Sequence, residues 1–201
     1  MRIPESAALV LVDLQRAIDH PSWGVRNHPD AEVRGAQVLA AWRKSGRRVF
    51  HVKHDSVEPQ STYRPGQPGN EFKPEFVPRA GEPVIAKQTG SAFAGTGLAK
   101  LLEEGGHQTL VLFGVITNNS VETTVRHAAC LGFRVILVED ACFTFARMGW
   151  AADEIHAMSL VNLDGEYCEV ATAAAVLLPL DGARGLVREV VEDGADPLLG
   201  E

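Results

Sequence analysis

Ala7-Ala8-Leu9-Val10-Leu11-Val12-Asp13 is a run of six apolar residues that ends on a carboxylate. A run of strand length with no polar alternation suits a strand buried on both faces, which is the situation in a parallel sheet covered by helices. The pattern recurs at Arg48 to Lys53, Val84 to Ala86, Thr109 to Phe113 and Arg134 to Val138, with a shorter strand near Tyr167 to Val170. Helical spacing fills the gaps between these runs. From Asp30 to Ser45, Val38, Ala41 and Trp42 keep i, i+3, i+4 spacing before the stop at Gly46. Leu98, Leu101 and Leu102 repeat it ahead of Gly105-Gly106, and Val121, Thr124, Val125 and Ala128 repeat it ahead of Gly132. A further helix is expected over Ala152 to Leu163, and another after the last strand. Repeated βα units of this kind predict one α/β domain: a doubly wound parallel sheet of about six strands, in the order 3-2-1-4-5-6, flanked by helices.

Two stretches depart from the rhythm. Residues 54–83 are rich in Pro, Gly, Ser and Gln, and a loop this long inside a domain is expected to shape a substrate site. Residues 183–201 form an acidic, small-residue tail. Composition narrows the function classes further. With 19 Lys and Arg against 26 Asp and Glu, the net charge is −7, which opposes a nucleic-acid partner. No apolar stretch approaches the roughly 18–20 residues of a membrane helix. Three scattered cysteines without CxxC spacing, Cys130, Cys142 and Cys168, read as reduced residues of a cytoplasmic protein, with Cys130 and Cys142 as buried small hydrophobes. Gly95-Thr96-Gly97 lacks the strand-to-helix setting of a nucleotide fingerprint, so no cofactor is expected.

In open α/β sheets, reactive groups gather beyond the carboxyl ends of the strands. Asp13 follows the first strand, Lys87 the third, and Ser120 lies in the segment after the fourth, Gly114-Val115-Ile116-Thr117-Asn118-Asn119-Ser120. In the strand order above these three ends are near one another. Taken singly, each has a plainer role: an Asp or Ser as a helix or turn cap, a Lys as a solvated charge. Their joint placement is what marks a site.

The same residues resemble the isochorismatase-like cysteine hydrolases. Val10-Leu11-Val12-Asp13-Leu14-Gln15 is similar to that family's strand-plus-DxQ opening. Glu82 to Lys87, followed by Ser91-Ala92-Phe93 and Gly95-Thr96, is similar to its catalytic-lysine region. Gly114 to Thr124 resembles its nucleophile segment, and Val138-Glu139-Asp140-Ala141 the close of its fifth strand. The resemblance runs in order from about Ala7 to Leu178. It implies a hydrolase in which an Asp takes the nucleophile's proton, a Lys stabilises negative charge, and the nucleophile attacks an amide or related carbonyl. It further implies oxyanion donors at the backbone of Ile116 and Ser120, a cis bond at Val115–Ile116, a pocket position at Phe93, a small-molecule substrate and a homo-oligomer, dimer or tetramer. Trp23 and Asn119 are added as candidate substrate contacts. Phe72 and Phe76, in the long loop, give a second reason to expect an oligomer, since both need cover.

Ser120 departs from the family, whose nucleophile is cysteine. A hydroxyl needs a stronger base than a thiol, and an Asp beside a Lys is expected to have a depressed pKa and to be a poor base. Three readings follow. One is an amidohydrolase whose parental residue is cysteine, present here as its serine variant. Another is a vinyl-ether hydrolase needing no nucleophile, with Asp13 as acid. The third is a catalytically silent small-molecule binder. His51, His54 and Asp55 sit where nicotinamidase-like relatives bind metal, but the Asp-x-His pattern of those relatives is not reproduced. A structural role is therefore favoured for them, and no metal site is expected. His127 and His156 are read as surface or packing residues.

Overall fold

The computed structural model describes residues 1–180; the expected tail at 183–201 lies outside the described residues. Six parallel strands form one sheet in the order β3-β2-β1-β4-β5-β6. They are β1 (Ala8–Val12), β2 (Val49–His54), β3 (Val84–Lys87), β4 (Thr109–Gly114), β5 (Arg134–Val138) and β6 (Glu169–Ala171). The helices are α1 (Ala31–Lys44), α2 (Leu98–Glu104), α3 (Glu122–Cys130) and α4 (Ala152–Leu163), with a further helical stretch at 173–180. No helix among the described residues is long and apolar enough to cross a membrane.

β1 and β4 are buried along their whole length, as runs without polar alternation require. Leu9, Leu11, Leu110, Leu112 and Phe113 are all within 1% of complete burial, each worth about 1.5–3 kcal/mol of transfer free energy. α1 turns Val38, Leu39 and Trp42 onto this sheet. Its Gly35 lies directly over Phe113, where a Cβ would come within 2.7 Å of the ring. β3 departs from the expected pattern. At the edge of the sheet only one of its faces is covered, so Val84 and Ala86 are exposed while Ile85 and Lys87 are buried.

The β2–β3 crossover carries no α-helix. The chain from His54 to Pro83 makes it through two short 3-10 turns, Pro68–Asn70 and Pro74–Phe76, and polar anchors hold it down. Buried Gln15 donates to the carbonyls of His54 and Asn70 and accepts from the His54 N–H. Buried Asn70 donates to Tyr63 O at 2.8 Å and to Asp55 Oδ1 at 2.9 Å. Phe76 is fully buried against Phe113, and Phe72 packs edge-on to His51. The chain thus covers Phe76 itself, so that ring supplies no ground for an oligomer, while Phe72 is only partly buried. Cys130 is exposed, not buried as its helical position suggested, because it faces outward at the end of α3.

Two partly buried carboxylates tie this loop to α1. Glu32 pairs with Arg26 and Lys73, and Glu82 pairs with Arg43 at 2.7 Å and His51 at 2.8 Å. Burial pushes both carboxyls up. Their cationic partners, with the Arg79 N–H at Glu82, outweigh burial and hold each down to about 2 from 4.5. The folded protein therefore binds fewer protons than the unfolded chain between those values, so this stability is present above pH 4.5 and is lost as pH falls toward 2. Thermal unfolding against pH should show that decline. Glu82→Gln should flatten it and lower neutral-pH stability by about 2 kcal/mol, because Arg43 and His51 lose their shared partner.

Candidate active site

Asp13 stands one residue past β1 in a left-handed backbone conformation, φ 54°, which Asp tolerates better than most side chains. Its N–H is still bonded to Val52 O, so the kink begins as the strand leaves the sheet. Lys87 closes β3 and Ser120 lies in the π-type turn Thr117–Val121. The close approach of β4 to β1 depends on Gly114, where a Cβ would stand 2.1 Å from Val12 O. That contact brings the next segment, with its cis Val115–Ile116 bond, over the end of β1.

The three side chains meet. Lys87 Nζ donates to Asp13 Oδ2 at 2.7 Å, to Ser120 Oγ at 3.3 Å and to Thr89 O at 3.0 Å. Lys87 and Asp13 are almost wholly buried, and Asp13 Oδ1 has no hydrogen-bond partner. Burial raises the Asp13 carboxyl above its ordinary range, with Lys87 and Ser120 acting the other way. This corrects the expectation of a depressed pKa: loss of hydration outweighs the neighbouring ammonium. A cavity of about 280 Å³ opens over the group, and Asp13, Ser120, Ile116, Asn119, Trp23 and His54 are among its walls. The Ile116 N–H, pointed to by resemblance as an oxyanion donor, has no acceptor among the described residues.

Other candidates fall differently. Trp23 and Asn119 line the cavity, but Phe93 does not. It is stacked on Phe133 at 5.8 Å and packed against His127 at 5.6 Å, in the core beneath α3. His51 and His54 point to opposite faces. His51 pairs with Glu82, whereas His54 lines the cavity beside Tyr63, their rings 5.6 Å apart. His54 is thereby added to the cavity wall, a place the sequence did not assign it. Burial first, then Lys87, lowers its pKa, which favours the neutral ring. The signal was its place at the carboxyl end of β2. Tyr63, buried in the long loop with its phenol pKa pushed well up by burial, is another wall residue that the sequence did not single out. His127 is a packing residue bonded to Ser91. His156 is buried and bonded to Thr117 Oγ1 at 2.9 Å.

A model of the isochorismatase domain matches residues 7–175. A crystal structure assigned to the isochorismatase family, from Chromobacterium violaceum, is 57% identical and superposes with a TM-score of 0.87 over 90% of this chain and 97% of that one. An uncharacterized isochorismatase family protein of Bacillus subtilis, YrdC, is 34% identical over 84% of this chain and 92% of its own. Maleamate amidohydrolase of Pseudomonas putida is 35% identical over 62% of this chain and 53% of its own. The chain belongs to the isochorismatase family and is a hydrolase.

The buried pair makes a sign prediction. A carboxyl raised by burial binds its proton more tightly when folded, so its contribution to stability falls as pH rises above the unfolded value of 3.8. Lys87→Met removes the one nearby ammonium that opposes this. That variant should lose about 3–5 kcal/mol at neutral pH. Urea midpoints should then fall as the pH is raised above the unfolded value of 3.8, more steeply than in the unaltered protein.

Proposed function

We propose that this protein hydrolyses the C–N bond of a small carboxamide, with Asp13 as proton acceptor and donor, residue 120 as nucleophile and Lys87 as the charge between them. The observation that carries this reading is the contact of one Lys87 ammonium with both Asp13 and Ser120 on the cavity floor. The Ser120 hydroxyl gives its proton to Asp13 as Oγ bonds to the amide carbon. The carbonyl oxygen takes the negative charge and accepts from the backbone N–H groups of Ile116 and Ser120. Asp13 returns the proton to the departing amine, the C–N bond breaks, and water hydrolyses the ester by the same route in reverse. The raised Asp13 pKa supports its role as base. Among the relatives, a maleamate amidohydrolase supports amide chemistry. Trp23 and Tyr63 supply apolar walls, while His54 and Asn119 supply hydrogen-bonding edges, a balance suited to a small, partly polar amide.

The unpartnered Asp13 Oδ1 favours one other reading. A buried carboxyl that holds its proton can protonate a vinyl ether, with water completing the hydrolysis and no covalent step.

A panel of small amides assayed for ammonia release separates the two. Ser120→Cys should raise amidase turnover by about 100-fold or more, since a thiolate beside Lys87 exists before attack and each tenfold is about 1.4 kcal/mol of barrier. Asp13→Asn or Lys87→Ala in that background should abolish it, and an acyl adduct should be visible by mass. Equal turnover by the Ser120 and Cys forms would remove residue 120 as nucleophile and favour vinyl-ether hydrolysis. Binding without turnover in both forms would indicate a silent homologue.

A further inference from the structure

Behind the turn that carries Ser120, three side chains distant in sequence converge. His28 comes from the segment before α1, Glu139 from the turn after β5, and His156 from α4. One donor atom from each lies within 4.8 Å of the other two. We propose that His28, Glu139 and His156 bind one zinc-type dication, which ties α4 to the Ser120 turn.

The hydrogen bonds around the cluster set its chemistry. His28 Nδ1 lies 2.9 Å from the carbonyl oxygen of Cys142, which can only accept. Nδ1 therefore carries the proton, and the neutral ring presents a free lone pair at Nε2. His156 Nδ1 lies 2.9 Å from Thr117 Oγ1, and when that hydroxyl accepts, this ring too presents its lone pair at Nε2. Its Nε2 is buried and has no hydrogen-bond partner. A histidine anchored through one nitrogen, with the other bare, is the arrangement that orients imidazole toward a metal. Glu139 supplies the anion.

The distances that make an ion pair of His156 and Glu139 also suit a shared metal ion. His156 Nε2 stands 3.6 Å from Glu139 Oε2, beyond hydrogen-bond reach. Tetrahedral zinc with bonds of about 2.0–2.1 Å holds its donors about 3.4 Å apart. The pair therefore already has close to the spacing that a shared ion demands. The two rings sit edge to face, 4.5 Å between centroids, so both can direct a nitrogen at one point. Three neutral or anionic N/O ligands leave a fourth position for water, and Glu139 and His28 are the half-exposed side of the site through which an ion enters. Arg34 is the opposing charge, but Asp140 neutralises it at 2.8 Å. The ion would reach the catalytic turn through Thr117, whose side chain holds His156 and whose N–H holds Phe143 O, three residues before Ser120.

Calorimetric titration of chelator-stripped protein with Zn²⁺ tests this. A Cys130→Ser background should be used, because that thiol is exposed. One ion per chain should bind with micromolar affinity or better, and the melting temperature should rise with free Zn²⁺. His156→Gln, His28→Asn and Glu139→Gln should each weaken binding by about 100-fold or more, while His20→Asn should not. His28 has φ 43°, which Asn tolerates, and the partly exposed Glu139 side chain makes only a 3.6 Å ion pair with His156, so at least these two variants should keep the native circular dichroism. Failure of Zn²⁺ to bind at about millimolar concentration would overturn the proposal. So would unchanged affinity in folded Glu139→Gln and His28→Asn proteins.

Discussion

The arrangement of this protein turns on a buried charge pair. Lys87 and Asp13 meet at 2.7 Å with almost no exposure, at the ends of two strands separated by β2. Removing two charges from water costs several kcal/mol per ion even after relaxation, and their attraction only partly offsets it. Such a pair is a poor source of stability, and the surrounding structure has to bear its cost. The fully apolar β1 and β4, with α1 packed over them, supply that margin. The result is a carboxyl whose proton affinity is set by burial and moderated by one ammonium, next to a hydroxyl 3.3 Å from that ammonium.

The site also depends on polar groups that do no chemistry. Gln15, two residues after Asp13, bonds both sides of the β2–β3 crossover, and Asn70 gathers Tyr63 and Asp55. These bonds replace the helix that would normally occupy such a crossover. They hold His54 and Tyr63 as cavity walls over Asp13, and the Glu32 and Glu82 pairs fasten the rest of the loop to α1. A long loop with buried backbone polar groups survives only if such partners are found. On the far side of Ser120, Thr117 connects the turn to His156, so the Ser120 segment is braced from both sides.

Much of this was legible in the linear chain. Runs such as Ala7 to Val12 and Thr109 to Phe113 are apolar without alternation, and only burial on both faces explains that, so the parallel sheet and its helices follow from local pattern. Asp13, Lys87 and Ser120 were legible for the same reason: each directly follows a strand or its loop, and strand ends in this fold converge. The edge strand β3 was less so, because Val84 to Lys87 reads as apolar whether or not both faces are covered.

The sequence by itself determined the class of fold, the family and the cluster of Asp13, Lys87 and Ser120, because these rest on short-range periodicity and on motifs contiguous in the chain. Tertiary structure alone decided the rest. Phe93 went to the core and His54 to the cavity, since a side chain's neighbours depend on which elements cover it. The direction of the Asp13 pKa followed from the degree of burial, which no spacing reports, and it reversed the sign suggested by the neighbouring lysine. His28, Glu139 and His156 are more than 100 residues apart at their extremes, and only the packing of α4 against the turns after β4 and β5 brings their donor atoms within 4.8 Å. Contacts between distant segments are set by the packed core as a whole, and it is there that this protein's local patterns cease to specify its chemistry.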